Sequence, residues 1–434
     1  MHLSETLSYY KRPEIQEALA EHASGKEVAA RFGDNFGKRP EVLSYPADVM
    51  DFAKKGATSF HCSEELWDNP LNLQPGMSRK QLDEMRKGWD LLIDVDCHEL
   101  DYSKIAADLI IKELQRHRIT SLTVKFSGNH GFHIGVPFEA FPKEVNGVET
   151  QLLFPEAAKR IALYIKQNIE VKLAGEILSV EGGSFNNVAG KTGIDVKNLY
   201  LKDSEGKPKL DERGKAILDV EPFLKIDTIL LSSRHMYRMP YSLHEKSGLS
   251  SIPIPPESVR TFDKASASPE KISVSKIKFM DRSMAKHSEA VELFVKAFDA
   301  TFTLPEAERE EKEYEIPAEA IPENFFPPCI QKLLAGVEDG RKRALFILIN
   351  FLTSCGWSAD AVEARLREWN KANKEALHET YLTGQLRYSK QQKKKILPPN
   401  CSNAAYYQDL RIKCPEEYCR FKNPVNYARK KARA

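Results

Sequence analysis

Apolar and polar positions repeat with two different periods along this chain. In "SKIAADLIIKELQRH", Ile105, Ala106, Leu109, Ile110 and Leu114 recur at the spacing of one helix face. "FPEAAKRIALYIKQNIE" predicts a second helix, with Pro155 near its start, where a missing N–H is tolerated. Strand-like runs alternate with these, among them "LLID", "SLTVKFSG" and "TILLSS". Val124 and Phe126 alternate with Lys125 and Ser127; beyond the turn-prone "GNHG", Phe132, Ile134 and Val136 alternate with His133 and Gly135. Period two puts one face in a core and leaves Ser127 and His133 on the other.

The pattern changes between Ser266 and Glu313. A helix around "SEAVELFVKAF" gives way to "LPEAEREEKEYEIPAEAIPENFFPPC", rich in Glu and Pro, which reads as a linker. "GRKRALFILINFLTSCGWSADAVEARLREW" then predicts two helices broken at Gly356, with Ser358 or Asp360 capping the second and Glu363 completing a capping box with Asp360. "LYLKDSEGKPKLDERGKAIL" reads as a solvated hairpin or loop. At about 150 residues per domain, 434 residues suggest two or three domains. The divisions fall at 1–300, a linker over 301–320, and 321–434.

Charge separates the halves more than the net value of +2 suggests. Residues 321–434 carry 21 Lys and Arg against 11 Asp and Glu, or +10; the remainder carries 43 against 51, or −8. A basic region on an acidic body points to an anionic partner for the C-terminal part. No apolar run reaches the roughly 18 residues of a membrane span, and the start lacks a signal-peptide core. The expectation is a soluble, cytoplasmic protein. Seven cysteines, an odd number, do not form a secreted disulfide framework.

Three segments carry candidate chemistry. In Asp94-Val95-Asp96 both carboxylates project from one side of a strand, where they repel unless a cation lies between them. "VKFSGNHGFHIGVP" offers Ser127 and His133, with Gly128 and Gly131 allowing backbone N–H groups close to an anion. "KIDTILLSSRHMYRMPYSLHEKSG" adds Asp227, then Arg234, Arg238, His244 and Lys246. Carboxylates for divalent ions beside hydroxyl, imidazole and guanidinium groups for phosphates suit a metal–triphosphate site.

In order and spacing, "DVD", "FSGNHGFHI" and "RMPYSLHEKSGLSSIPI" resemble the three motifs of the archaeo-eukaryotic primase family, small catalytic subunit. The resemblance covers roughly residues 1–300. It implies an α+β fold with an RRM-like mixed sheet core. It makes Asp94, Asp96 and Asp227 ligands of Mg²⁺ or Mn²⁺ and catalytic, and it puts Ser127, Gly128, His133, Arg234, Arg238, His244 and Lys246 at the incoming nucleotide. By spacing, Glu27 and Arg39 fall where the family touches the initiating nucleotide. The family's zinc knuckle has no counterpart: Cys97, His98 and the distant His61 and Cys62 form no CxxC pair, and Cys97 reads as a buried thiol.

Four C-terminal cysteines, Cys329, Cys401, Cys414 and Cys419, suit zinc or an iron–sulfur cluster on residue type alone. "PPC", "DGRKRALF", "PPNC" and "NPVNYA" resemble the C-terminal domain of the primase large subunit. That resemblance implies a mostly α-helical domain in which the four cysteines hold a [4Fe–4S] cluster, with Cys355 in the core. Arg341 and Arg343 fall near that family's contacts to template and 5′-triphosphate, although "VED" replaces histidines found in some relatives. Arg387, Tyr388 and Lys390 add a basic–aromatic mix suited to a nucleic-acid strand. Both resemblances together describe a single-chain DNA primase making short primers on single-stranded DNA from ribo- or deoxynucleoside triphosphates. They imply a monomer, with a replication polymerase or helicase as partner. The alternatives are a repair or end-joining polymerase of the same superfamily and a non-catalytic nucleic-acid-binding protein.

Overall fold

The computed structural model describes residues 3–33, 35–145, 147–203, 207–210, 214–226, 233–301, 317, 319–338, 340–391, 396–401, 404–407, 410, 412 and 421–433. The chain divides into two compact units, Met1–Glu306 and Ala307–Ala434.

In the first unit the helices are α1 (Leu3–Tyr10), α2 (Pro13–His22), α3 (Pro46–Lys54), α4 (Arg79–Met85), α5 (Leu100–Arg116), α6 (Glu156–Val180), α7 (Phe185–Thr192) and α8 (Val291–Thr301). The strands are β1 (Val28–Phe32), β2 (Asn35–Phe36), β3 (Ser59–Ser63), β4 (Glu65–Trp67), β5 (Arg86–Trp89), β6 (Leu91–Cys97), β7 (Thr123–Phe126), β8 (Gly131–Val136), β9 (Glu144–Val145), β10 (Val148–Glu149), β11 (Leu224–Ile226), β12 (Met236–Arg238) and β13 (Pro253–Ile254). They form a five-stranded sheet, β11-β6-β8-β7-β13, a four-stranded sheet, β12-β3-β1-β2, and two ribbons, β4-β5 and β9-β10. Every pairing between these strands is antiparallel.

Strand alternation sorts the core into two layers. Leu91, Ile93 and Val95 pack with α5 and α6, whereas Leu92 joins Tyr10, Ile15, Leu19, Phe60 and Tyr237 on the other side. The predicted helices are present: α5 covers the first, and α6 extends the second through Val180. The sheet face opposite that core is covered as well: Lys125 and His133 are 0% and 5% exposed. The second sheet covers that face, with the Tyr237 ring 6.1 Å from His133 and 5.9 Å from the Lys125 ammonium. "TILLSS" lies outside the described residues except for Ser233.

The second unit is helical: α9 (Pro328–Leu334), α10 (Arg341–Ser354), α11 (Ala359–Ala372), α12 (Glu379–Gln391), α13 (Ala404–Tyr407) and α14 (Pro424–Arg433). Gly356 breaks the chain between α10 and α11 with φ +87°, and a Cβ there would stand 2.8 Å from the Pro317 carbonyl. Ser358, rather than Asp360, caps α11 by accepting from the Ala361 N–H. Trp369 anchors the core through a 2.7 Å hydrogen bond from its indole to the Leu333 carbonyl. Cys355 is fully buried, and burial pushes its thiol up to about 12. Among the described residues, no helix is long and apolar enough to cross a membrane.

Candidate active site

The acidic strand β6 lies beside β8 in a register that puts Asp94 opposite His133 and Asp96 opposite Gly131. Both carboxylates, Ser127, His133, Arg238 and His244 line one cavity of about 250 Å³. The sequence motifs therefore converge although some 150 residues separate the first from the last.

Two glycines make that convergence possible. A Cβ on Gly131 would fall 2.1 Å from the Val95 carbonyl oxygen, so only glycine allows the β6–β8 approach. Gly128 has φ +107°, and a Cβ there would stand 2.9 Å from His244 Cβ. The turn between them closes through the Ser127 N–H donating to the Gly131 carbonyl at 3.0 Å. Ser247 then ties the third motif to the hairpin, its hydroxyl donating to the Gly128 carbonyl at 2.6 Å.

The cavity is electrostatically divided. His133 Nε2 stands 3.4 Å from Asp94 Oδ1, and burial, then Lys125 and Arg238, hold this imidazole well below its usual pKa. His244 is lowered to about 4 by burial and by Arg238. Its Nδ1 accepts from the Lys246 and Ser247 N–H groups, so the neutral ring carries its proton on Nε2. The Arg238 guanidinium donates to the Leu243 carbonyl at 2.6 Å and to Glu245 at 2.8 Å, and Arg31 grips the other oxygen of Glu245. Neutral imidazoles beside a fixed guanidinium present donors to an anion without a large standing charge.

Not every expected residue meets the cavity. Arg234, with φ +64°, directs its guanidinium onto Glu27 at 2.9 and 2.6 Å and is not among the lining residues. Glu27 is fully buried and also accepts from Arg39 at 3.0 Å. Glu27, Arg39 and Arg234 thus form a separate cluster. Lys246 is exposed and lines a neighbouring cavity with Tyr9, Arg12 and Ser247. Asp227 lies outside the described residues; the strand before it pairs Ile226 with Val95 and Lys225 with Asp96.

Asn129, His61 and His235 also line the cavity without having been site candidates. Asn129 sits within the turn already singled out. His61 on β3 lies opposite Arg238 on β12. His235 immediately precedes β12, and its Nδ1 lies 2.6 Å from Glu64. The only hint was the adjacent acids Glu64 and Glu65 after a strand-like run, both of which are buried.

Asp94 and Asp96 supply hard oxygen donors suited to Mg²⁺ or Mn²⁺. Among the described residues, no group of three or more His, Cys, Asp or Glu side chains is placed to hold a metal ion. In the second unit Cys329 is buried and Cys401 half-buried, with the Cys401 N–H donating to the Lys422 carbonyl at 2.9 Å. Cys414 and Cys419 lie outside the described residues. Asn423 joins the same region by donating to the Pro398 carbonyl at 2.8 Å. Arg341 contacts Glu375 through its carboxylate at 3.0 Å and its carbonyl at 2.5 Å. Arg343 follows on the first turn of α10, after Gly340 at φ +73°. Lys390 pairs with Asp360 and Glu363 on α11. Cys97 is buried, which pushes its thiol up to about 12.

Residues 319–432 match the family model for the C-terminal domain of the eukaryotic and archaeal DNA primase large subunit. The match lies wholly within the C-terminal unit and associates that unit with a DNA primase family. No curated protein matches the chain. Among solved structures, the polymerase domain of Mycobacterium tuberculosis ligase D, in complex with DNA, aligns at 13% identity and a TM-score of 0.35, over 68% of this chain and 88% of that one.

Proposed function

We propose that this protein is a single-chain DNA primase, joining a catalytic unit like the primase small subunit to the C-terminal domain of a primase large subunit. The observation that carries the reading is the meeting of Asp94, Asp96, Ser127, His133, Arg238 and His244 around one cavity, in a chain whose other unit matches a primase family. Template-directed nucleotidyl transfer needs carboxylates near the reacting phosphorus and donors along the triphosphate, and this cavity has both.

Asp94 and Asp96, with Asp227, would hold Mg²⁺ or Mn²⁺, which supplies Lewis-acid stabilisation of the transferring phosphoryl group. His133, Ser127, Arg238 and the Nε2–H of His244 bind the triphosphate and align it for attack by a 3′-hydroxyl. Gly128 lets that binding turn lie against His244. Arg39, 30% exposed beside buried Glu27, is assigned to the initiating nucleotide; in the C-terminal unit, Arg341 and Arg343 are assigned separately to template and 5′-triphosphate. Cys329, Cys401, Cys414 and Cys419 are the proposed ligands of a [4Fe–4S] cluster that pins the C-terminal unit. Single-stranded DNA is the template.

The test of the catalytic half is extension of an annealed primer by the full-length protein with either metal and either nucleotide type. Extension that vanishes in Asp94→Ala supports the reading; wild-type protein that adds no nucleotide to any primer overturns it.

A further inference from the structure

A buried acid is placed behind one cavity histidine, and no sequence motif contains the pair. Pairing of Met236 with Ser63 sets the residue before β12 beside the residue after β3. These are His235 and Glu64. Glu64 is 1% exposed, and its Oε1 lies 2.6 Å from His235 Nδ1. The His235 side chain is 29% exposed and lines the cavity with Asp94 and Asp96.

A carboxylate against Nδ1 keeps that nitrogen protonated, fixes the ring plane and favours the imidazolium, so the ring acts on its surroundings through Nε2. The other cavity histidines lack this backing. His244 uses Nδ1 to accept two backbone N–H groups. His61 and His133 are buried among Arg238 and Lys125, which oppose a positive ring. His133 does face Asp94, but through Nε2 and a carboxylate assigned to metal.

We propose that His235 is a catalytic base and that Glu64 is its positioning residue. The inference rests on the nucleotidyl-transfer reading above. As the 3′-oxygen bonds to the α-phosphorus, Nε2 takes the hydroxyl proton. The bond from the α-phosphorus to the bridging oxygen breaks, and pyrophosphate leaves with that electron pair. The proton then passes to water through the exposed side of the ring. The carboxylates lining the cavity with His235 are Asp94 and Asp96 on β6, and the neutral rings of His133 on β8 and His61 on β3 line it too. Among the described residues, Arg238 on β12 and His244 beyond it line the same cavity, and Arg234, held by Glu27 and Glu65, is next to His235 in sequence.

The experiment uses full-length protein and its Glu64→Gln and His235→Gln variants. It measures single-turnover primer extension across pH, nucleotide KM, and nitrogen NMR of labelled histidines. Glu64→Gln should slow the step roughly 10–100-fold, with KM within about twofold. Losing the carboxylate disfavours the imidazolium, so the acid limb of the rate profile should move to lower pH. His235→Gln should slow the step about 100-fold or more and remove that limb, and the double variant should be no slower. An unmoved limb in Glu64→Gln, or a silent His235→Gln, overturns the proposal while leaving nucleotidyl transfer standing. Wild-type protein that extends no primer overturns both. Should Glu64→Gln not fold, the wild-type spectrum decides: a proton on Nδ1 supports the dyad, and a neutral ring protonated on Nε2 overturns it.

Discussion

His133 Nε2 stands 3.4 Å from Asp94 Oδ1, directly across the pairing of β6 with β8. The proposed metal ligand and the proposed phosphate ligand therefore share one row of a hydrogen-bonded sheet. Backbone geometry, rather than loop placement, sets their separation, which suits a site that must hold a reacting phosphorus between them.

Asp94→Ala and Asp96→Ala should each lower nucleotide transfer by several orders of magnitude, because a metal ligand is removed. Each also relieves repulsion between two carboxylates on one strand face, so the melting temperature should hold or rise. Primer extension and thermal melting on the same preparation check this pair of outcomes.

The two glycines should fail differently. Gly128→Ala forces alanine to φ +107° and against His244, which should cost about 1–3 kcal/mol and raise nucleotide KM. Gly131→Ala drives a Cβ into the Val95 carbonyl and should separate the strands carrying Asp94 and His133. It should be the more destabilising change in denaturant unfolding, and the one that loses kcat as well.

Arg238→Ala should raise KM for the nucleotide about 10–100-fold, with a smaller loss of kcat. Since the same guanidinium holds Leu243 and Glu245, Arg238→Lys should recover only part of the affinity. Steady-state kinetics over a nucleotide series distinguishes these outcomes.

Glu65 gives a pH signature independent of activity. Burial, only partly offset by Arg86, raises its carboxyl from 4.5 to about 7. A raised folded-state pKa means that the stability from the protonated form is fully present below about pH 4.5 and is lost as pH climbs through 7. Between those values the wild-type melting temperature should fall with rising pH relative to Glu65→Gln. Parallel curves would contradict the assignment.

Much of the cavity was legible because its parts obey local rules. Asp94 and Asp96 sit two apart on a strand, and Ser127 and His133 flank a glycine turn, so each pattern appears within a dozen residues. His61 and His235 left no such trace. They reach the cavity only because β12 pairs with β3 across some 170 residues, and short-range periodicity does not encode that pairing. The same pairing lays Tyr237 against the His133 ring. Arg234 was grouped with the nucleotide-binding residues by its place in the third motif, yet its guanidinium is taken up by Glu27.

Cys329→Ser should lower the iron bound per chain in anaerobically purified protein and weaken the fold of residues 307–434, because thiolate–metal bonds would tie its distant segments together. Extension of an existing primer should persist while initiation is lost. Iron analysis and circular dichroism, read beside both assays, test the cluster; zinc in place of iron would overturn the cluster and leave the catalytic assignment intact.

The most direct test of the whole account is incubation of the full-length protein with unprimed single-stranded DNA and γ-labelled ATP. A primase should yield short products retaining the label at their 5′ ends, dependent on Asp94 and lost in Cys329→Ser. Robust extension of annealed primers with no labelled product from unprimed template would contradict de novo synthesis as the protein's function.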